Sequence, residues 1–350
     1  MMKSLFLYLI AAALASQASS YCVFAARARF SSLCAASSQT PEEGKSLRPI
    51  SPVESSRGDL RGLGRVGGIV LSSLLASQSA LVGRVTSVQA APAPSDKTVV
   101  VLGGAGKTAS LIIDKALKEG VCNIVPTFRG SPRDYGAGIV SKQADVTQLS
   151  SIGAAIEGAS AVIFAASASS KGGNAKAVDF EGVRNVALEC VRLKVPRLVV
   201  ISSGAITKRD SLGFKITNLF GGIMDEKRRG EDALREIYAA AAKDDASLSY
   251  VIVRPGGLTD GSAVGAGAVE LNQGDTWSGE INRSDVADAV LAAALSPAFK
   301  GKKVTFEIYN RGGKGPLEGR FNKPSGYEVA GVAFDDMFAA LKEGVSDLQN

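Results

Sequence analysis

The segment from residue 99 to residue 109 constrains the fold of this chain more than any other stretch. Residues 99–102 are three valines and a leucine, typical of a central strand covered on both faces. Glycines follow at once, and residues 110–118 carry apolar side chains at helical spacing, up to a typical C-cap glycine at Gly120. This pattern predicts a strand, a glycine turn and a helix. Such a turn suits phosphate, because a helix N-terminus offers unpaired N–H groups and a positive dipole end.

Two phosphate-binding motifs compete for the glycine turn. The dinucleotide fingerprint fits as Gly104-x-Gly106-x-x-Ala109. It fits equally with Gly103 as its first glycine. A Walker A loop would need a glycine where the chain has Val101. We therefore predict a dinucleotide site, with a tight turn that binds nothing as the alternative. The candidate residues are Gly103, Gly104, Ala105, Gly106, Lys107 and Thr108.

The residue types present exclude several chemistries. The chain has no histidine, which removes histidine-based triads, histidine general bases and histidine metal ligands. Its four cysteines form no Cys-x-x-Cys pair, so we predict neither a disulfide framework nor a metal site. We expect Cys122 and Cys190 to fill space in the core.

The net charge of +6 lies mostly at the front of the chain. Residues 1–91 hold nine basic and four acidic residues, which leaves 31 basic and 30 acidic residues for the rest. A nearly neutral body disfavours a nucleic-acid surface, so we predict no nucleic-acid partner.

The first 95 residues have the composition of targeting sequences. Residues 1–20 combine Lys3, an apolar run and small residues, which predicts a signal peptide with a run too short to span a membrane. Residues 21–95 begin with a Ser- and Ala-rich, transit-like stretch and continue with an uncharged run at 66–83, which looks like a thylakoid-transfer signal. Together they resemble the presequences of proteins sent to plastids with extra envelope membranes. We predict a chloroplast protein, thylakoid-associated or luminal, whose mature domain begins near Ala91. A retained membrane anchor and an irregular extension are the alternatives for the uncharged run.

Arg129 sets the expected choice of dinucleotide. It follows a predicted strand at 122–128 and stands 23 residues beyond Gly106, where an NAD-specific site would place an acid for the ribose 2′-hydroxyl. The chain has no acid in this region, and an arginine suits a 2′-phosphate. We therefore predict NADP rather than NAD. The alternative for Arg129 is an exposed loop cation.

Two further strand ends are expected to line the cofactor. A predicted strand at 139–144 runs into Asp145, whose short acidic side chain would accept a hydrogen bond from the adenine amino group. Alternatively, this acid or Thr147 begins the helix predicted at 148–156 as its N-cap. A predicted strand at 161–166 ends in two alanines, which let the backbone lie close to a cofactor. The cofactor residues predicted here are Asp145, Val146, Ala165 and Ala166.

The alternation of elements predicts the fold class. With a fifth strand at 197–201, buried-type strands alternate with helices, which indicates a parallel, doubly wound α/β sheet in one domain over residues 96–345. We further predict helices at 178–191, 224–234, 283–295 and 334–341 and strands at 250–255 and 304–309. Pro126 predicts an early end or a bend of the second strand. The remaining stretches predict an apolar loop at 205–223, a flexible glycine-rich stretch at 261–274 and a loose loop at 312–326.

Several ordered motifs carry a family resemblance. They are the glycine turn, Val178-Asp179-x-Glu181-Gly182-x-x-Asn185, and the segments 199–203, 250–257 and 281–287. The set resembles atypical short-chain dehydrogenase/reductases, above all the NmrA-like and plastid NAD(P)-binding subgroup. The resemblance covers roughly residues 97–310 and implies a Rossmann-like domain that binds NAD(P). Gly256-Gly257-Leu258, after the sixth strand, are expected to border the substrate side of the nicotinamide, and Pro255 and Gly256 are candidate cofactor contacts.

The catalytic residues of that family are only partly present. Active members use a tyrosine, a lysine four residues later and a serine after the fifth strand, which Ser203 or Ser202 matches. The chain has no Tyr-x-x-x-Lys, and the lysine position of related proteins falls on Arg229, which replaces a pKa-tuned lysine poorly. Lys227 is expected to reach the cofactor through a shift of register, with a solvated helix face as the alternative. The candidate catalytic residues are Ser203 and Lys227, and Ser202 and Arg229 are candidate cofactor contacts.

Two functions follow from this pattern. Without the tyrosine, and with no imidazole, the usual proton donors for carbonyl reduction are missing. This favours a non-catalytic plastid protein that binds a dinucleotide and docks a protein partner in assembly or redox sensing. The alternative is an NADPH-dependent oxidoreductase acting on a small carbonyl or enone, in which Ser203 orients the substrate and Lys227 or water supplies the proton.

Overall fold

A computed structural model describes residues 96–131, 133–136, 138–168, 174–219, 221–311, 314–316 and 327–345, all within the unit Ser87–Asn350. The predicted signal peptide, presequence and uncharged run at 66–83 lie outside the described residues, as does most of the loop predicted at 312–326. Among the described residues, no helix has both the length and the apolar character that crossing a bilayer requires.

The strands of the described residues form a large sheet and a small one. Their bounds are β1 Thr98–Leu102, β2 Asn123–Phe128, β3 Lys142–Gln143, β4 Ala161–Phe164, β5 Arg197–Ile201, β6 Ser249–Pro255, β7 Gly257–Thr259, β8 Val269–Gln273, β9 Trp277–Asn282, β10 Lys303–Asn310, β11 Lys314–Pro316 and β12 Tyr327–Val329. The large sheet has the order β12-β8-β10-β6-β5-β4-β1-β2-β3, and the small sheet has the order β11-β9-β7.

Helices cover the large sheet. Their bounds are α1 Lys107–Glu119, α2 Leu149–Ile156, α3 Val183–Arg192, α4 Leu212–Asn218, α5 Ile223–Ala241, α6 Arg283–Leu295 and α7 Phe334–Ala340. A π-helical turn at Lys176–Gly182 leads into α3, and short 3₁₀ helices lie at Ala266–Ala268 and Pro297–Phe299.

The predicted doubly wound sheet is confirmed. From β3 to β10 all neighbouring strands are parallel, and at one edge β8 runs antiparallel to both of its neighbours, β10 and β12. The chain moves outward from β1 to β3 and then returns to β4 on the other side of β1. This reversal opens a crevice at the carboxyl ends of β1 and β4, the usual ligand position in such sheets.

The strand residues alternate between two cores. Val99 and Val101 pack on the face covered by α1 and α6, whereas Val100 and Leu102 pack on the face covered by α2, α3 and α5. This is the two-residue period of a strand with both faces buried, and it explains the unbroken apolar run in β1. Cys122 and Cys190 are both buried, as predicted.

The predicted early end of the second strand at Pro126 is wrong. Asn123 donates its N–H to Lys97 at the β1 side, and because N–H direction alternates along a strand, the Pro126 nitrogen faces away from β1. On that side β3 pairs only with Thr127 and Phe128. No ladder bond is lost, so the strand continues through the proline.

Three other expectations are corrected. The strand predicted at 139–144 is only Lys142–Gln143. The stretch at 261–274 is not a flexible loop throughout, because β8 is fully buried and pairs with β10 and β12. The apolar loop at 205–223 contains α4, whose N-cap Ser211 accepts a hydrogen bond from the Phe214 N–H.

Candidate functional site

The glycine turn lies between β1 and α1, at the crevice where the strand order reverses. Gly103 has φ +86°, and an added Cβ there would lie 2.8 Å from the backbone of Ala166. An added Cβ on Gly104 would lie 2.9 Å from the Thr127 carbonyl, which accepts the Gly104 N–H at 2.8 Å. Both positions therefore require glycine, since the turn is wedged between the ends of β2 and β4.

The first turn of α1 presents donors without a side-chain cap. Its N-cap is Gly106, which has no side chain, and the first turn contains no acidic residue. Ala105 and Lys107 are exposed at this end of the helix. The β4 end runs alongside, because Ala165 donates its N–H to Leu102 at 3.0 Å. The predicted residues of the turn and of the β4 end thus come together at a helix N-terminus that favours an anion.

The other predicted cofactor residues follow the next strands. Arg129 comes directly after β2, is exposed, and accepts a hydrogen bond from the Gln143 side chain at its carbonyl. Asp145 does not cap α2, whose N-cap is Gln148. Its carboxylate instead accepts the N–H and the hydroxyl of Thr147 at 2.9 and 2.8 Å. Val146 is buried, and its carbonyl accepts a hydrogen bond from Asn185.

Lys227 is held in a buried ion pair. Its Nζ lies 2.8 Å from the Asp179 carboxylate, and both side chains are largely or fully buried. Asp179 lies in the π-helical turn, and it also accepts the Ser167 hydroxyl at 2.8 Å and the Ala168 N–H at 2.9 Å. An added Cβ on Gly230 would overlap the Asp179 carbonyl, so a glycine lets α5 approach this turn closely. The ion pair therefore joins α5 to the segment that follows β4.

Arg229 faces another direction. Two residues along an α-helix correspond to a rotation of about 200°, and the Arg229 guanidinium lies 4.0 Å from the Phe180 ring centroid and 2.8 Å from the Glu226 carboxylate. Its side chain is half exposed. The structure therefore does not bring Arg229 together with Lys227.

The two serines after β5 line different cavities. Ser202 is buried beside Lys227, Asp179 and Glu231, around a void of about 10 Å³. Ser203 lines a larger cavity of about 780 Å³, and its hydroxyl donates to the Gly204 carbonyl at 3.2 Å. Ser203 and Lys227 are therefore separated, since each lines its own cavity.

The larger cavity opens beside the carboxyl ends of β5 and β6, and its volume lies in the range typical of small-molecule sites, about 300–1,000 Å³. Pro255 and Gly256, which are predicted to border the nicotinamide, line this cavity. Leu258 and Arg283 also line the cavity. Sequence patterns did not single out Met224, Glu280 and Tyr309, since these walls come from elements far apart in the chain.

A buried network of charged side chains supports the segments around this cavity. The Arg254 guanidinium lies 2.5 Å from the Glu231 carboxylate and 3.2 Å from that of Glu307. Glu307 accepts the Asp275 N–H at 3.0 Å, and the Asp275 carboxylate accepts the Ala205 N–H at 2.7 Å. The network therefore ties α5, β6 and β10 to the segment that carries Ser203.

Two carboxyl groups of this network have opposite pKa shifts. Burial by itself would raise the pKa of Glu231, but Arg254 and Arg235 hold it at about 2. Burial and the neighbouring Asp275 charge raise the pKa of Glu307 to about 8, although Arg254 opposes them.

Solved structures similar to this chain include the oxidoreductase ylbE from Lactococcus lactis (20% identity, 61% of this chain and 90% of that chain, TM-score 0.49). Others are the anaerobilin reductase ChuY from Escherichia coli O157:H7 (20%, 61% and 98%, 0.47) and a short-chain dehydrogenase/reductase from Veillonella parvula in complex with NADP (15%, 66% and 100%, 0.48). No curated protein matches the chain. The model of the NAD(P)H-binding family matches residues 103–297, more than half of the chain.

Proposed function

Since this chain belongs to the NAD(P)H-binding family, we propose that it binds NADP(H) and reduces an apolar carbonyl or enone compound in the cavity beside Ser203. The observation that carries this proposal is the 780 Å³ cavity itself. It lies at the same sheet edge as the glycine turn and is lined by Pro255 and Gly256, the expected neighbours of the nicotinamide, so a substrate held in it would lie beside the hydride donor.

The chain's own residues fit a dinucleotide. Close contacts leave no room for a Cβ on Gly103 or Gly104, and the uncapped α1 N-terminus suits a pyrophosphate. Arg129 is exposed directly after β2, where the ribose is expected, and Lys107 adds a second cation at the turn. The Arg129 cation supports NADP over NAD as the proposed cofactor.

The residues near the cavity divide the chemistry between them. A bound NADPH supplies a hydride to the substrate carbon. The Ser203 hydroxyl, whose 3.2 Å bond to the Gly204 carbonyl is long and weak, donates to the substrate oxygen instead and orients it. Tyr309 also lines the cavity, but its hydroxyl already donates to the Trp277 carbonyl at 2.6 Å. Lys227 is held on Asp179 in the other cavity, so water that enters the open cavity provides the proton.

A second role is favoured by one observation on α4. Leu212, Ile216 and Leu219 follow helical spacing, and 65%, 51% and 78% of their surfaces are exposed. An apolar helix face of this kind supports docking of a protein partner. We further propose that the protein works in a plastid, on the composition of residues 1–95 alone.

Turnover separates the two roles. Full-length protein is mixed with NADPH and a panel of aromatic aldehydes and enones, and the loss of absorbance at the nicotinamide band is followed. We expect oxidation of NADPH that falls about 10-fold or more in Ser203→Ala, because the substrate oxygen loses its donor. Ser167→Ala, which removes a hydroxyl bound to Asp179 outside the cavity, is the control. Saturable NADPH binding without turnover of any compound would favour the docking role.

A further inference from the structure

Arg283 is the only cation among the described residues that line the larger cavity. It is the first residue of α6, and only 20% of its side chain is exposed. Its guanidinium pairs with the Asp260 carboxylate. A guanidinium has five N–H donors in a planar fork, so this contact uses only part of what Arg283 offers.

Asp260 is a replaceable partner for Arg283. Its side chain is 64% exposed, and it is shared with Lys107 at 3.1 Å. Water competes for the exposed carboxylate of this pair, so the pairing contributes less to stability than one in which both groups are buried. An anion entering the cavity can therefore take the place of this carboxylate with little loss to the fold.

The rest of the lining suits an apolar body. Met224, Pro255 and Leu258 contribute apolar surface, together with several glycines. Glu280 is the other charged residue among the described residues that line the cavity, and it is exposed. Its charge disfavours an anion on its own side of the cavity, which leaves Arg283 as the position for one.

We propose that Arg283 determines substrate specificity, by binding the carboxylate of an apolar carbonyl compound in the cavity beside Ser203. This inference rests on the proposed reductase function, since that function requires the cavity to hold substrate. A carboxylate presents two oxygens that match the guanidinium fork, and the largely buried position of Arg283 strengthens the pairing. Asp260 then competes with the substrate for the same guanidinium.

Binding of inert probes tests the inference without turnover. Full-length protein saturated with NADP⁺ is titrated with 2-naphthoate and with neutral 2-naphthamide. We expect naphthoate to bind at least 10-fold more tightly. Arg283→Met should lose about 10- to 100-fold in naphthoate affinity and less than 3-fold in naphthamide affinity. Asp260→Asn should raise naphthoate affinity, which a merely structural Arg283 would not explain.

Matched variants guard against general effects of charge and folding. Arg209 is an exposed arginine that pairs with Asp225 and lies outside the described lining, so Arg209→Met should leave both affinities unchanged. Arg283→Lys keeps the charge but not the planar fork of N–H donors. Its naphthoate affinity should therefore fall between that of the natural protein and that of Arg283→Met. Equal affinities for the two probes, equal losses in Arg283→Met, or no binding of either probe would overturn the inference.

A reactive pair separates this inference from the proposed function. In reduction of 6-formyl-2-naphthoate, the aldehyde carbon gains a hydride from NADPH and its oxygen gains a proton from water, giving an alcohol, NADP⁺ and hydroxide. Turnover of this acid well above that of its methyl ester supports both ideas. Equal turnover of acid and ester contradicts the role of Arg283 alone. Naphthoate binding through Arg283 without turnover of the aldehyde contradicts the reductase function alone.

Discussion

Arg129 is the residue on which the proposed preference for NADP depends. Replacing it with glutamine removes the cation but keeps a polar side chain. We expect NADPH affinity to fall about 10- to 100-fold, because a charge-assisted contact to the 2′-phosphate is lost, and NADH affinity to change less than 3-fold. Fluorescence titration with each dinucleotide measures both. Arg133 is a nearby control, since its guanidinium lies over the Tyr135 ring. An equal loss for both dinucleotides would show that Arg129 does not contact the 2′-phosphate.

The pair of Lys227 and Asp179 is predicted to stabilise the fold. Lys227→Met leaves the buried Asp179 carboxylate without its cation, which we expect to lower the free energy of unfolding by about 3 kcal/mol or more. Adding Asp179→Asn to that variant should restore part of the loss. Arg229→Met, on the exposed face of α5, should cost about 1 kcal/mol or less. Urea denaturation measures all three, and similar losses for Lys227→Met and Arg229→Met would contradict the account.

At the scale of elements, two glycines of the β1–α1 unit allow a matched comparison. Gly103 and Gly120 both have positive φ, but of these two positions only Gly103 has other atoms within 4 Å of where a Cβ would lie. Gly120→Ala should cost about 1 kcal/mol for the left-handed conformation alone. Gly103→Ala must also displace the backbone of Ala166, so it should cost clearly more and lower NADPH affinity at least 10-fold. Denaturation and NADPH titration of both variants test this, and equal behaviour would contradict the assignment of the turn.

The same unit shows how far the sequence predicts the fold. The strand, turn and helix around Gly103 were predicted correctly, and Gly120 is the C-cap in the left-handed conformation, because local patterns decide all three. The buried strand β8 was not predicted, since its burial depends on pairing with β10 more than 30 residues later. A glycine-rich surrounding sequence concealed it.

The candidate site, like the fold, was predictable from the sequence where a single short segment forms it. The dinucleotide turn comes from one short segment, and its residues were found by motif. The cavity comes from the segment after β5, from β6, β7, β9 and β10, and from α4, α5 and α6, so Arg283 and Tyr309 line it together with Ser203 only after folding. The position of Lys227 depends on the close approach of α5 to the π-helical turn, which helical spacing alone does not specify.

At the scale of the whole molecule, the buried network predicts a dependence of stability on pH. The pKa of Glu307 is raised from 4.5 to about 8, so between these values the folded protein keeps a proton that the unfolded chain releases. The free energy of unfolding should therefore fall as pH rises from about 4.5 to 8 and then level off. Glu231 has the opposite sign, since its lowered pKa gives stability above pH 4.5 that is lost toward pH 2.

Glu307→Gln isolates the first of these effects. The variant cannot titrate at this position, so its stability relative to the natural protein should rise between pH 5 and pH 8.5, by about 1.4 kcal/mol for each pH unit at most. Denaturation at four pH values measures the difference. Parallel curves for the two proteins would contradict the raised pKa of Glu307.

The presequence proposed for residues 1–95 also concerns the whole chain. We expect the native protein to begin near Ala91 and to reside in the plastid. Sequencing the N-terminus of protein isolated from its own cells measures this directly, and a retained Met1 or Tyr21 would contradict it.

Binding of NADPH to the full-length protein is the most direct test of the central claim, that the corner between β1 and α1 holds a dinucleotide. The measurement is a fluorescence titration of the natural protein alongside Gly103→Ala. We predict saturable binding at one site per chain, strongly weakened in the variant. Fluorescence that never saturates, or equal affinity in the two proteins, would contradict the claim.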